Sequence, residues 1–283
     1  MSKLDPNAEP VAPKDAATLV VLRSGTDSDE PEVFCVRRHA RSAFMGGALV
    51  FPGGKLDADD GLGPLRERSD GTHPRATVFA DHGDHAAALC ACACRESFEE
   101  AAILPCDPAI DAATVLAARE RFERGEARLH ELLVEAGTRL ATRSLAPFAR
   151  WITPVGEQRR YDARFFMTRL PVGQEGLHDA REATSSVWAP ASRILRVFHD
   201  GDLWLAPPTI RCLELLAPTR SVEEAIALCA AQSLAPICPL FVPGEPPMLV
   251  LPGDPRHQVA ERRVAGATRF ELRGDRFVSA SDD

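Results

Sequence analysis

Lysine is almost missing from this 283-residue chain: Lys3, Lys14 and Lys55 are the only three among 33 basic residues. With the high alanine and proline content, that bias reads as codon usage in a GC-rich genome, not as a functional signal. Excess positive charge is missing as well. The formal net charge is −8, so the electrostatic footprint of a nucleic-acid-binding surface is absent. An acidic protein can still take an anionic phosphate when a metal cation stands between them, so a phosphate substrate is not excluded. No apolar run approaches the roughly 20 residues that a membrane helix needs. Residues 1–13 lack the apolar core of a secretory signal, and residues 279–283 carry no lipidation or peroxisomal address. Paired cysteine spacing is lacking too. Eight cysteines in a chain this long, three of them (Cys90, Cys92 and Cys94) in a helical pattern, are not a disulfide scaffold and point to a reducing compartment. A cytoplasmic enzyme is the expectation, with 45% hydrophobic and 26% charged residues supplying an ordinary globular core.

What is present is strand signals first, then helices, then strands. Residues 1–13 are expected to be a disordered tail. Strands are expected at 16–22, 32–38 and 46–51, the last ended by Pro52-Gly53-Gly54. Residues 57–85 hold Gly, Asp, His and Pro without a sustained period and are expected to be an inserted surface loop, with one helical turn near 62–68. A helix is expected at 86–101, followed by two more at roughly 109–124 and 127–136. Further strands fall at 150–153, 161–170 and 187–189, and helices at 191–197, 208–217 and 222–231. Short strands close the chain at 248–251, 268–272 and 276–278. The fold class is α+β, a mixed sheet between helices. One domain is expected over 14–283, with insertions at about 61–85 and 105–148 and a C-terminal extension at about 218–283.

The chemistry concentrates in Arg95-Glu96-Ser97-Phe98-Glu99-Glu100. A helix turns about 100° per residue, so Glu96, Glu99 and Glu100 share one face. Three carboxylates on one face repel one another unless a cation compensates, and hard oxygen ligands favour Mg²⁺ or Mn²⁺. Arg95, four residues before Glu99, can hold that carboxylate. Taken alone, such a run is more often a solvated acidic face. Pro52-Gly53-Gly54 shifts the balance, because a bend without side chains lets backbone carbonyls face a metal. His82, His85, Cys90, Cys92 and Cys94 invite a zinc reading, but no paired C-x-x-C exists, and buried apolar cysteines are the better expectation.

Here the sequence resembles the Nudix family, whose box runs G-x5-E-x7-R-E-U-x-E-E-x-G-U, where U is bulky and aliphatic. Gly54 fits the opening glycine, and Arg95 to Ile103 fit the second half. Asp60 stands where Glu is expected, Ser97 fills an aliphatic position, and Ala102 replaces the final Gly. The x7 segment is 34 residues long, from Gly61 to Cys94. The branch with such an insertion is the acyl-coenzyme A diphosphatase-like one. The likeness includes Phe44-Met45, Gly47-Ala48, Val50-Phe51-Pro52-Gly53-Gly54, Trp151-Ile152-Thr153-Pro154, Arg160-Tyr161-Asp162, Phe165-Phe166 and Leu203-Trp204-Leu205-Ala206-Pro207-Pro208.

The resemblance implies a Nudix fold and hydrolysis of a nucleoside diphosphate derivative. Coenzyme A or acyl-coenzyme A would give 3′,5′-ADP and an (acyl-)phosphopantetheine. It implies metal ligation by Glu96, Glu99, Glu100 and the Gly53 or Gly54 carbonyl, with Arg95 orienting Glu99. Glu182 is the candidate general base or extra ligand. Arg37, Arg38 and Arg41 are candidates for the substrate's phosphates or form a solvated basic turn, and Arg160 and Tyr161 either contact substrate further or serve a salt bridge and core packing. Trp151 and Trp204 are expected to be structural. The expected partner is a small-molecule nucleotide, with no nucleic acid and no membrane, and a homodimer is allowed. The alternatives are a dinucleotide pyrophosphatase acting on NADH or ADP-ribose, and a catalytically silent Nudix fold that binds a nucleotide or a protein.

Overall fold

The computed structural model describes residues 11–26, 28–41, 45–61, 63–80, 82–179, 181 and 183–281. Its strands and helices run β1 (Lys14–Arg23), β2 (Glu32–Arg38), β3 (Leu49–Val50), β4 (Gly53–Lys55), α1 (Gly63–Glu67), α2 (Gly83–Ala101), β5 (Cys106–Asp107), α3 (Ala112–Glu123), α4 (Leu129–Glu135), β6 (Arg139–Leu140), β7 (Ala146–Ile152), β8 (Tyr161–Arg169) and β9 (Ala183–Pro190). There follow α5 (Ala191–Asp200), α6 (Pro207–Leu216), α7 (Val222–Ala231), β10 (Leu240–Val242), β11 (Met248–Val250), β12 (Arg269–Arg273) and β13 (Arg276–Ala280). No described helix is long and apolar enough to cross a membrane.

Among the described residues, the central sheet runs β3-β2-β1-β8-β7, with β4 on β1 and β9 on β2. β1 and β8 are parallel, and the other pairs are antiparallel. Side chains alternate across a strand, and here the alternation divides two cores. Val20 and Leu22 of β1, Val33 and Cys35 of β2, and Phe165 and Met167 of β8 join one apolar cluster with α5, α6 and α7. Ala17, Leu19 and Val21, Phe34 and Val36, and Phe166 join the other, with α2. Strands covered on both faces need near-continuous apolar runs, and β1 supplies one. The C-terminal sheet β10-β11-β12-β13 adds Leu249, Phe270 and Phe277 to the first cluster.

α2 begins three residues earlier than its apolar pattern predicts. The His82 ring Nδ1 accepts a hydrogen bond from His85 N at 3.2 Å and caps it. The His85 Nε2 lies 3.1 Å from Asp15 Oδ2. The histidines of the zinc reading are thus a helix cap and an ion-pair partner. Cys90, Cys92 and Cys94 are all fully buried in the second cluster, because α2 is covered on nearly every side. Burial raises all three thiols above their usual range.

Residues 57–85 are not the surface loop expected from their composition. They form a 3₁₀ turn at Ala58–Gly61, then α1, then a second 3₁₀ turn at Pro74–Phe79. Leu65, Ala76 and Phe79 are buried in the second cluster. Phe79 packs edge-on against Phe166, ring centroids 5.4 Å apart. Aperiodic polar residues hide three core contributors, because a five-residue helix buries only Leu65 and a short 3₁₀ segment only Ala76 and Phe79. Two strands also differ from expectation. The predicted strand at 46–51 shrinks to β3, and the chain pairs again as β4, where the sequence reads as a turn. Of the tail expected over 1–13, residues 1–10 lie outside the description, and the Val11 carbonyl accepts a hydrogen bond from Arg160 Nη1 at 2.7 Å.

Candidate active site

The site is built where β4 meets α2. β4 lies antiparallel on β1, with Thr18 opposite Gly53, Ala17 opposite Gly54 and Ala16 opposite Lys55. Neither glycine can carry a side chain without displacing something. A Cβ on Gly53 would lie 2.6 Å from the Ala17 carbonyl oxygen and 2.7 Å from Thr18 Cα. A Cβ on Gly54 would lie 2.5 Å from Glu96 Cδ and Oε1 and 2.6 Å from Oε2. The first glycine lets the bend lie flat on β1. The second opens the space that the Glu96 carboxylate fills. The Gly54 carbonyl faces α2, with Cys92 Sγ 3.9 Å away.

Arg95 organises the acidic face from within. Its Nε donates to Asp60 Oδ1 at 2.8 Å and its Nη2 to Asp60 Oδ2 at 2.9 Å, a bidentate fork. Nη2 also donates to the Lys55 carbonyl at 3.0 Å. Nη1 donates to Glu96 Oε1 at 2.9 Å and to Glu99 Oε1 at 2.8 Å. All five guanidinium N–H donors are therefore spent on protein acceptors. Asp60, 2% exposed, is the principal partner of a buried arginine, an ion pair across 35 positions of sequence.

The third carboxylate is placed differently. Glu100 Oε2 accepts from Gly53 N at 3.0 Å, and its Oε1 lies 3.4 Å from Arg38 Nη1. It fastens the glycine bend to the helix. Burial raises the Glu96 carboxyl from the ordinary range to about 7, with Arg95 opposing and Glu99 adding to the rise. Burial also raises Glu99, against the pull of Arg95. One guanidinium does not balance Asp60, Glu96 and Glu99 together. Among the described residues, no three His, Cys, Asp or Glu side chains stand together as a group that could hold a metal ion, so the carboxylate row supplies at most two side-chain ligands as it is placed here. Glu96 and Glu99 each give one oxygen to Arg95, and the second oxygen of each is the donor a hard divalent cation could use. The raised, undercompensated carboxylates beside a side-chain-free bend fit such an ion.

The remaining sequence candidates separate. Arg38 reaches Glu100, on the same side of the sheet as Phe34 and Val36. Arg37 follows Cys35 in the alternation and is exposed, so strand periodicity divides the two neighbours. Arg41 is exposed, its backbone N bonded to His39 Nδ1 at 3.2 Å. Arg160 is buried and committed elsewhere. Its Nε donates to Thr153 O at 3.0 Å and its Nη1 to Val11 O, so it clasps the β7–β8 turn to the N-terminal segment in place of the substrate contact expected of it. Tyr161 opens β8 opposite Lys14. Trp151 is buried in the first apolar cluster, as expected of a structural residue.

Glu182, the expected base, lies outside the described residues. The described part of its loop docks on the end of α2: Leu177 N donates to Ala101 O at 2.6 Å and Asp179 N to Glu100 O at 3.0 Å. His178 Nδ1 lies 3.0 Å from Ser186 Oγ on β9. The sequence reading passed over His178, and no local signal marks it. A hollow beside Glu99 carries no local mark either, because its wall comes from α3 and α4, which only folding brings to the box.

Comparison with known proteins identifies the family and the fold. The family described as NUDT19 Nudix domain matches residues 13–216. A protein of Gallus gallus named acyl-coenzyme A diphosphatase NUDT19 is 29% identical over 227 residues, which are 62% of this chain and 58% of that protein. Its Homo sapiens counterpart is 28% identical over 265 residues, 77% of this chain and 70% of the other. The crystal structure of a NUDIX hydrolase from Alicyclobacillus acidocaldarius superimposes with a TM-score of 0.60 at 26% identity, covering 76% of this chain and 96% of that one.

Proposed function

The chain belongs to the Nudix family, in the group described as NUDT19 Nudix domain, and from that membership we propose that it is an Mg²⁺- or Mn²⁺-dependent hydrolase of the pyrophosphate bond in coenzyme A or acyl-coenzyme A. The products are 3′,5′-ADP and an (acyl-)phosphopantetheine. The single observation that carries the reading is the Glu96 carboxylate seated in the space above Gly54, with Glu99 held beside it by the same guanidinium. The named activity of the chicken and human relatives supports the substrate.

Glu96, Glu99 and Glu100, with the Gly54 carbonyl, would hold the cation. A cation bound there neutralises pyrophosphate charge and lowers the pKa of a water nucleophile. The chain's own residues supply position. Arg95, its N–H donors spent on Asp60, Lys55, Glu96 and Glu99, sets the carboxylates. Glu100 keeps the Gly53 N–H and the end of α2 in register. Arg38, at the edge of the carboxylate row, would meet a phosphate oxygen, and exposed Arg37 and Arg41 would add to the local positive field. Glu182 is the proposed base, from the loop that docks on α2. Much of the rate enhancement then comes from fixed charges that need no reorganisation as the phosphoryl group transfers.

The test is product analysis. Purified protein with Mg²⁺ or Mn²⁺ is incubated with coenzyme A, acyl-coenzyme A, NADH and ADP-ribose. Release of adenosine 3′,5′-bisphosphate from the first two, lost in Glu99→Gln, is expected. Nucleoside monophosphate from NADH or ADP-ribose alone would move the substrate to a dinucleotide. No turnover of any of the four would leave a silent binding fold.

A further inference from the structure

Beside the carboxylate row lies a cavity of ≈ 440 Å³ to which the mechanism above assigns no occupant. Ligand sites occupy about 300–1,000 Å³, so the space is large enough for a substrate arm. One wall is the 3₁₀ turn at Ala58–Gly61 and the start of α1. The floor carries Arg95 and Glu99 themselves. The opposite wall comes from the inserted helices, through Phe122 at the end of α3 and Arg128, Leu129 and His130 at the start of α4. The segment of α3 and α4 therefore completes a hollow that reaches Glu99.

The chemistry of the walls selects one half of the substrate. Leu65, Phe122 and Leu129 give an apolar lining, and Phe122 is braced edge-on by Phe98 with ring centroids 5.7 Å apart. Around them stand Asp57, Asp59, Asp60 and Glu99, against only two guanidinium groups. Of those two, Arg95 is consumed by the carboxylates and Arg128 lies 3.8 Å from Asp59. A bisphosphorylated adenosine would bring strong negative charge into an acidic hollow, at a cost in repulsion and desolvation. An arm that is neutral, flexible and rich in amides avoids that cost. Its methylenes fit the apolar wall, its N–H groups find the Asp59 carboxylate, and its carbonyls find His130 and Arg128.

We infer that this cavity is the subsite for the pantetheine arm, with a thioester-linked acyl chain leading out past α4. The inference rests on the hydrolase reading above and gives the inserted helices α3 and α4 a role in substrate choice. It leaves the nucleotide half on the side of Arg38.

The experiment fills the cavity from its exposed rim with Ala58→Trp and removes a polar contact with His130→Ala. Both are compared with the native chain for folding by circular dichroism and melting. KM for coenzyme A and for a medium-chain acyl-coenzyme A is expected to rise roughly tenfold in Ala58→Trp, with kcat changed far less, the pattern of lost ground-state binding. Product inhibition by 4′-phosphopantetheine should weaken in parallel, and inhibition by adenosine 3′,5′-bisphosphate should stay as in the native chain. His130→Ala should move the same parameters in the same direction by a smaller factor. If folded Ala58→Trp keeps the native KM, or if it weakens only adenosine 3′,5′-bisphosphate, the assignment is overturned. Absence of coenzyme A turnover in the native chain would instead overturn the hydrolase reading, so the two failures are distinct.

Discussion

Glu96 stands where residue 54 would carry its Cβ: an added carbon at Gly54 would lie 2.5 Å from the Glu96 Cδ and Oε1. A glycine in the bend and a glutamate one helix away are thus a single steric unit. Gly54→Ala is expected to push the Glu96 carboxylate off its position while leaving α2 and the sheet intact. The expected loss is roughly 10²-fold in kcat/KM, the scale set by an ångström of misplacement in a catalytic group. Steady-state kinetics beside an unchanged far-ultraviolet spectrum checks this. Gly53→Ala meets β1 backbone instead and should lower the melting temperature as well as the activity.

Asp60 is the stability partner of the site. Arg95 and Asp60 are nearly inaccessible, with side chains 8% and 0% exposed, and Asp60 engages both Nε and Nη2. Removing one member of a buried pair strands the other charge, which costs about 3–5 kcal/mol. Asp60→Ala should show that loss in urea unfolding, with activity falling as Glu96 and Glu99 lose their anchor. Asp60→Asn, which keeps one acceptor oxygen, should lose less.

Much of this was legible beforehand, and the rest fails for physical reasons. The carboxylate spacing and the α+β order follow from local periodicity, while the glycine pair read as a turn is strand β4, held by its pairing with β1. The 34-residue insertion within the box does not disrupt it, because Asp60 and Arg95 close the loop on themselves. Nothing local says that those two meet. Arg37 and Arg38 are adjacent in sequence, yet a strand sends neighbours to opposite faces, so only one reaches the helix. Phe79 looks like part of a polar loop because a six-residue 3₁₀ segment that buries only Ala76 and Phe79 is too short to show a period. Arg160 resembles a substrate contact by motif, and its carbonyl partners at Thr153 and Val11 become visible only in the fold.

Ala102 ends α2 with φ 49° and ψ 39°, the left-handed conformation usual for a C-terminal glycine. An L-residue pays about 1–2 kcal/mol for it. Ala102→Gly, which restores the residue of the family box, should raise stability by about 1 kcal/mol through relief of that strain, less the entropy a glycine loses on folding. Thermal unfolding measures it, and activity should not change.

The Glu96 carboxyl sets a pH dependence for the protein held metal-free by a chelator. Its value is raised from 4.5 in the unfolded chain to about 7 in the fold, chiefly by burial. The folded state therefore binds the proton more tightly, and its contribution to stability is fully present below pH 4.5. That contribution fades as pH rises through about 7 and totals on the order of 3 kcal/mol. Urea midpoints taken across that window should fall with rising pH, and Glu96→Gln should flatten the trend. Added Mg²⁺, which binds the ionised carboxylate, should restore stability at the upper end.

The most direct test of the whole account is Mn²⁺ binding followed by the loss of the free-ion electron paramagnetic resonance signal. The native chain should take up the ion, and Glu96→Gln combined with Glu99→Gln should weaken uptake by at least about tenfold while still melting cooperatively, since two charged ligands of a hard cation are gone. Equal Mn²⁺ affinity in the native and doubly substituted proteins would contradict the assignment of the cation to these carboxylates.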